Sequence, residues 1–286
     1  MWDIGEIKAL GKASFKRAHT TAVIVCLILS IINGIFTSAN STVNKKHRTP
    51  QTGITNSTFT KVGETIGSFT SVFTVTSGGM ADGTNDILNF LANGAASTVI
   101  FIALLASLAS VILRLFILVP LTIGSNRYFM ELRENENTPL DRILYIYKEG
   151  NLGNSVLTVF LMNIYIVLLT LLLVIPGIIK TYEYRMVPYI LCENPGIERK
   201  RAFKLSKEMM RDNKMDSFLL DLSFIGWYIL SLFTAGILSV LYVNPYVSAT
   251  NAELYAALRE DVLNRGTADE NDFPGFGKIN AMDSII

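Results

Sequence analysis

Charge, histidine and cysteine are all scarce in this chain. Only 17% of its 286 residues are charged, while 50% are hydrophobic; an ordinary soluble domain carries about 25% charge. The deficit falls in long apolar blocks, which points to a bilayer rather than a large water-soluble core. The two histidines, His19 and His47, are too isolated for a metal centre or a general acid–base pair. The two cysteines, Cys26 and Cys192, lie far apart in apolar segments. They read as small buried hydrophobes and suggest neither a disulfide framework nor a zinc site. No HExxH, Walker A, dinucleotide-binding glycine pattern or nucleophile elbow occurs. The formal net charge is +1, so no global field argues for nucleic acid. The expectation is a chain with no cofactor, no nucleic-acid partner and no enzymatic activity.

What is present is a series of apolar runs between basic segments. Residues 1–19 place Lys8, Lys12, Lys16 and Arg17 beside Ile4, Ile7, Leu10 and Phe15. That spacing predicts a basic amphipathic helix on the cytoplasmic membrane face. Residues 20–36 form the first apolar run. Thr37-Ser38-Ala39 would suit signal cleavage, but the long patterned segment ahead of the run favours a retained signal-anchor. Residues 38–96 are rich in Ser, Thr, Gly and Asn and read as an outer loop. Within it Phe59, Val62, Ile66, Phe69 and Phe73 could stripe one face of an interfacial helix, although Gly and Thr favour a loose loop. Further apolar runs cover residues 97–123, 155–175 and 217–243. Residues 261–286 are polar and read as a disordered tail.

Hydropathy alone gives four spans: 20–38, 97–120, 155–176 and 217–243. With the N-terminus inside, that arrangement puts the most basic loop, residues 180–216, outside, against the positive-inside rule. The conflict disappears if 177–194 returns as its own span after a turn at Pro176-Gly177, and if 217–243 splits at Thr234-Ala235-Gly236. The expected fold is therefore all-α: a polytopic membrane protein with about six transmembrane helices in three hairpins, its membrane domain at 20–260 and both termini cytoplasmic. A weak repeat fits this reading. The segment from Pro120 to Leu132-Arg133-Glu134 is similar to that from Pro245 to Leu258-Arg259-Glu260. The weakest legs, 177–194 and 237–255, are polar enough for re-entrant segments.

Charged residues inside these runs are Arg114, Glu183, Arg185 and Asp221. Such groups cost about 2.5–3.5 kcal/mol each at mid-helix and mark a candidate polar site. Glu183 and Arg185 are two residues apart and do not face one another on a helix. Each therefore needs a partner from another span or a wet cavity. Lys180 can snorkel to an interface. Beside the membrane, Arg199, Lys200, Arg201, Lys204, Lys207, Arg211 and Lys214 either fix orientation only or contact anionic lipid head groups. Tyr165, Tyr182, Tyr184, Tyr189, Trp227, Tyr242 and Tyr246 read as interfacial belt and helix packing.

Residues 175–227, IPGIIKTYEYRMVPYILCENPGIERKRAFKLSKEMMRDNKMDSFLLDLSFIGW, resemble the signature of a bacterial membrane family, domain of unknown function 975. IKALGKASFKRAH near the start and NPYVSATNAELYAALRE near the end resemble its ends. The motif positions are Pro176, Gly177, Pro188, Tyr189, Glu193, Asn194 and Pro195. More loosely, the Pro-Gly turn, the Pro-Tyr pair and the helix from Ala202 to Ser206 are similar to the non-catalytic membrane portion of some glycerophosphodiesterases. The resemblance implies a protein of the bacterial cytoplasmic membrane and supplies no catalytic residues. Two functional readings follow: a non-enzymatic scaffold or accessory factor of the cell envelope, or transport of a small solute or lipid through a polar intramembrane cavity.

Overall fold

Asp3 starts the first helix, its carboxylate accepting from the Glu6 backbone N–H at 3.0 Å, which satisfies a donor that a helix start leaves open. The protein is described by a computed structural model that covers residues 2–44, 85–135 and 137–274. Every regular element among them is helical. Helix α1, Ile4–Arg17, ends at Ala18, where the chain bends by 96° into α2, His19–Asn44. The apolar face that the sequence predicts on α1 packs largely on protein. Ile7, Gly11, Ser14 and Phe15 are buried against the C-terminal helix α11, Asn244–Asn264. Gly11 makes this possible: a Cβ there would sit 2.6 Å from the Thr250 backbone. The predicted outer-loop helix at 59–73 lies outside the described residues.

The chain forms two units. Residues 85–111, the start of helix α3 (Asn85–Glu134), belong to the second. In the first unit α3 passes through Pro120, whose ring nitrogen cannot bond the Phe116 carbonyl four residues back. The Tyr147 hydroxyl donates to that carbonyl at 2.8 Å. A 3-10 turn, Leu140–Leu144, and the short α4, Tyr145–Lys148, then lie close to α3. At Gly124 an added Cβ would fall 1.9 Å from the Ile143 carbonyl oxygen.

Helix α5, Leu152–Leu172, reverses into α6, Val174–Glu183, and the two pack together. The hairpin is as expected, but its turn is at Leu173 rather than Pro176-Gly177. Leu173 is extended, with φ −153° and ψ 121°. Pro176 sits in the first turn of the return leg, where a missing N–H costs little. Gly177 lies flat against Thr170, where any side chain would clash. The return leg then breaks at Tyr184–Met186 before α7, Val187–Glu193. Helix α8, Arg199–Met209, follows, with Ala202, Leu205, Ser206 and Met209 buried.

The second hairpin rises through α9, Lys214–Leu222, and α10, Ile225–Phe233. It turns where predicted, with Ala235 at φ 50° and Gly236 at φ 84°, and descends through a π turn, Ser239–Val243, into α11. The tail is ordered further than expected. Residues 265–274 carry a 3-10 turn, Glu270–Asp272, and bury Ala268 and Phe273. Phe273 packs on the Tyr255 ring and under the Arg259 guanidinium. Those two contacts give a polar segment an apolar reason to stay.

Among the described residues three helical stretches are long and apolar enough to cross a membrane: Leu108–Glu134, Leu152–Leu172 and Lys214–Phe233. The bent pair Ile4–Arg17 and His19–Gly34 makes a fourth if it is one span. In the first unit a buried core joins the inner parts of these helices to α7, α8 and α11, while the hairpin tips stand clear of it.

Candidate functional site

The break between α6 and α7 gathers the charges. Ser206 of α8 holds it: its hydroxyl donates to the Glu183 carbonyl at 2.8 Å and accepts from Met186 N–H at 3.2 Å. The break turns Glu183 and Arg185 in different directions, so each finds its own partners.

The Arg185 guanidinium grips Asp221 of α9, each Nη donating to one carboxylate oxygen at 2.7 Å. A planar fork matched to a carboxylate is the strongest form of this contact. Asn251 of α11 accepts from Nη2 at 2.8 Å, and the Tyr182 hydroxyl donates to Asp221 at 3.0 Å. One pair thus joins the break after α6 to α9 and α11. Glu183 is buried and draws three lysines: Lys180 at 2.8 Å, Lys207 at 3.6 Å and Lys214 at 4.0 Å. Lys180 therefore has a carboxylate partner and does not simply snorkel. Arg114 lies exposed on α3 and joins neither cluster. Of the four residues proposed for one polar site, the fold brings together only Arg185 and Asp221.

The family-motif residues serve as joints. Glu193 is almost completely buried; it accepts from the Tyr255 hydroxyl at 2.8 Å and from Arg259 Nε at 3.0 Å. Tyr189 stacks on Tyr255, ring centroids 5.5 Å apart. Asn194 donates to the Asp272 carbonyl at 3.3 Å, and the Pro195 carbonyl accepts from Asn154 at 3.0 Å. Pro188 stands in the first turn of α7.

Sequence reasoning missed a set of ties between the return legs. Arg127, fully buried on α3, donates to the Cys192 carbonyl of α7 at 3.1 Å. Arg133 of α3 donates to Glu253 of α11 at 2.7 Å, and Glu253 also accepts from Ser14 of α1 at 3.0 Å. Arg259 of α11 reaches Glu193 of α7. Three return legs are tied pairwise, and two of the arginines are those of the Leu-Arg-Glu repeat. That repeat was the available signal; its acidic partners, remote in sequence, were not.

The basic stretch divides. Arg201 binds Asp272, its Nε donating at 2.9 Å, and this hydrogen bond holds the Asp272 carboxyl below its ordinary range. Arg211 pairs with Glu208 at 3.0 Å, and Lys207 and Lys214 serve Glu183. Arg199, Lys200 and Lys204 are exposed. A cavity of about 610 Å³ lies between α1, the α8–α9 link and α11; Trp2, Glu6, Asp212, Glu253, Arg133 and Arg265 are among its walls. Among the described residues no group of three His, Cys, Asp or Glu side chains could hold a metal ion.

Among the described residues the fold is all-helical, with three to four candidate membrane spans by hydropathy. Residues 1–262 match the model of the family described as a protein of unknown function (DUF975), and the chain belongs to that family. No curated protein and no solved structure matches it.

Proposed function

We propose that this protein is a non-enzymatic scaffold or accessory factor of the cell envelope, seated in the cytoplasmic membrane. Six apolar legs form three hairpins, and both termini and the basic helix α8 face the cytoplasm. The observation that carries this reading is the closed Arg185–Asp221 pair, satisfied on both sides by Asn251 and Tyr182. A transport pathway needs its intramembrane charges on a wet space. Here the charge pair holds the break after α6 to α9 and α11, and the motif residues form joints of the same kind. The lipid bilayer is the first partner. Arg199, Lys200 and Lys204, which make no ion pair among the described residues, offer an anionic-lipid contact at about 1 kcal/mol per charge.

Removing one partner of a buried pair strands the other at about 3–5 kcal/mol; the Asp221 side chain is 40% exposed, so the cost here falls below that range. Arg185→Met should therefore deplete the folded protein in membranes, and Arg185→Met combined with Asp221→Leu should restore much of it. The measurement is protein level and thermal stability after extraction, alongside solute uptake by reconstituted vesicles. Normal protein level with solute flux lost in Arg185→Met would sink the scaffold reading in favour of transport.

A further inference from the structure

We propose that hairpins α5–α6 and α10–α11 are wedges that enter one leaflet of a bilayer and turn back within the hydrocarbon. Their tips meet acyl chains and do not reach water on the far side. This rests on the hairpin arrangement above, though not on which side the hairpins enter from.

The tips carry no group that water would hold. Residues 166–179 and 229–241 contain no charged side chain, no Trp and no Tyr. Leu171, Leu172, Leu232 and Phe233 are nonetheless 75–82% exposed. A turn that emerges on the far side of a membrane ordinarily brings interfacial Trp, Tyr, Lys or Arg with it. Here those residues lie further down the legs. On the first hairpin Tyr165 and Tyr184 meet edge to face at 5.8 Å, and Lys180 and Glu183 follow at the same end of α6. On the second, Trp227 and Tyr242 meet at 5.2 Å and Phe224 and Tyr246 at 5.2 Å, with Asp221 beyond. Aromatic rings thus occur on both legs of both hairpins, and the charges Lys180, Glu183 and Asp221 on one leg of each, all at the end away from the turn.

The lengths agree. From Leu173 to Glu183 the return leg is ten residues, or about 15 Å at 1.5 Å per residue. From Trp227 to the turn at Thr234 is seven residues, or about 10 Å by that measure. Neither exceeds half of a hydrocarbon core about 30 Å thick. Helix α5 is long enough to cross, but its lower half is not free to. Ser155, Val156, Thr158, Val159 and Met162 are buried in the protein, which leaves one face of that half, with Leu157 and Leu161, open to lipid.

The second turn also satisfies its own backbone, as hydrocarbon requires. Gly236 N–H bonds the Ser231 carbonyl at 2.9 Å and Ala235 N–H the Leu232 carbonyl at 3.3 Å. Leu238 and Ser239 donate to the hydroxyls of Thr234 and Ser231 at 3.2 and 3.0 Å. In the first turn Pro176 removes one of the donors that a helix start leaves open. Two such wedges in a single leaflet add area there and not in the other, so the partner is the acyl region of one leaflet.

The test places single cysteines in the full-length protein at Leu172→Cys and Phe233→Cys on the tips, with Lys204→Cys as reference. The native thiols Cys26 and Cys192 are buried and leave a low background. A membrane-impermeant maleimide is applied from outside intact cells and again after permeabilisation. Fluorophore-labelled tips are then quenched in phosphatidylglycerol–phosphatidylethanolamine vesicles by nitroxides near the acyl terminus or near the head group. The expected result is labelling of Lys204→Cys, loss of labelling at both tips under either condition, and several-fold stronger quenching by the deep nitroxide. Labelling of a tip from the face opposite Lys204 would show a complete crossing and overturn the proposal. Labelling from the same face as Lys204 would show an uninserted hairpin and overturn it too. Labelling of Lys204→Cys from outside, with silent tips, would refute the cytoplasmic orientation while upholding the wedges.

Discussion

Leu172 and Leu258 are both helical leucines in the same unit, yet the first is 75% exposed and the second fully buried. They represent two regions. At the hairpin tips, apolar side chains face outward and little protein packs on them. At the opposite end, α3, α7, α8 and α11 close on a dense core crossed by ion pairs. Burial against protein and exposure to lipid satisfy the same hydrophobic tendency. Only the first couples a residue to its neighbours, so the cost of losing a side chain should differ sharply between the regions.

The largest expected contrast is between two glycines. In Gly124→Ala the new Cβ meets the Ile143 carbonyl at 1.9 Å, whereas at Gly226 nothing lies within 4 Å. The clash is with backbone, so Gly124→Ala should exceed the usual overpacking cost of about 1–3 kcal/mol and leave little folded protein. Gly226→Ala should be neutral or gain up to about 1 kcal/mol from helix propensity. Thermal melts of detergent-solubilised protein measure both, and equal losses would erase the distinction between the regions. Next come the two leucines. Leu258→Ala should cost about 2–5 kcal/mol by opening a cavity. Leu172→Ala should stay within about 0.5 kcal/mol in detergent, as a surface change does. A large loss at Leu172 would mean that the tip packs on protein.

The smallest effect is at the tail. The Arg201 hydrogen bond depresses the Asp272 carboxyl in the folded state. A depressed carboxylate contributes stability that is present above its unfolded pKa, near 4, and lost as pH falls through the lower folded value. Asp272→Asn should therefore lower stability at pH 7 by up to about 1 kcal/mol, since the pair is partly exposed. The gap between variant and parent should narrow as pH drops towards about 3. A gap that stays constant with pH would show that the tail is held by Phe273 rather than by the ion pair.

Hairpin two was legible because Thr234-Ala235-Gly236 interrupts the run with residues that suit a turn, and Gly236 takes the positive φ that such a turn needs. Hairpin one was legible only as a hairpin. Leu173 is indistinguishable in hydropathy from its neighbours, so the turn was expected at the proline and glycine three residues later. Arg185 could be seen to need a partner but not to choose Asp221, because that choice depends on the break at Tyr184–Met186 and on Ser206 holding it open. Residues 265–274 differ from expectation for a related reason. Its composition is polar, and only the placement of Arg201 and Arg259 makes Asp272 and Phe273 worth ordering.

By itself the sequence determined the class of the chain: all-helical, with apolar runs long enough for a membrane, basic segments at their ends and the DUF975 motif. Those are properties of local composition and period, which a helix expresses wherever it lies. The tertiary structure decided which apolar faces meet protein and which are left for lipid, and which carboxylate each arginine holds. Both depend on contacts between residues far apart in the chain, made only once the helices have packed.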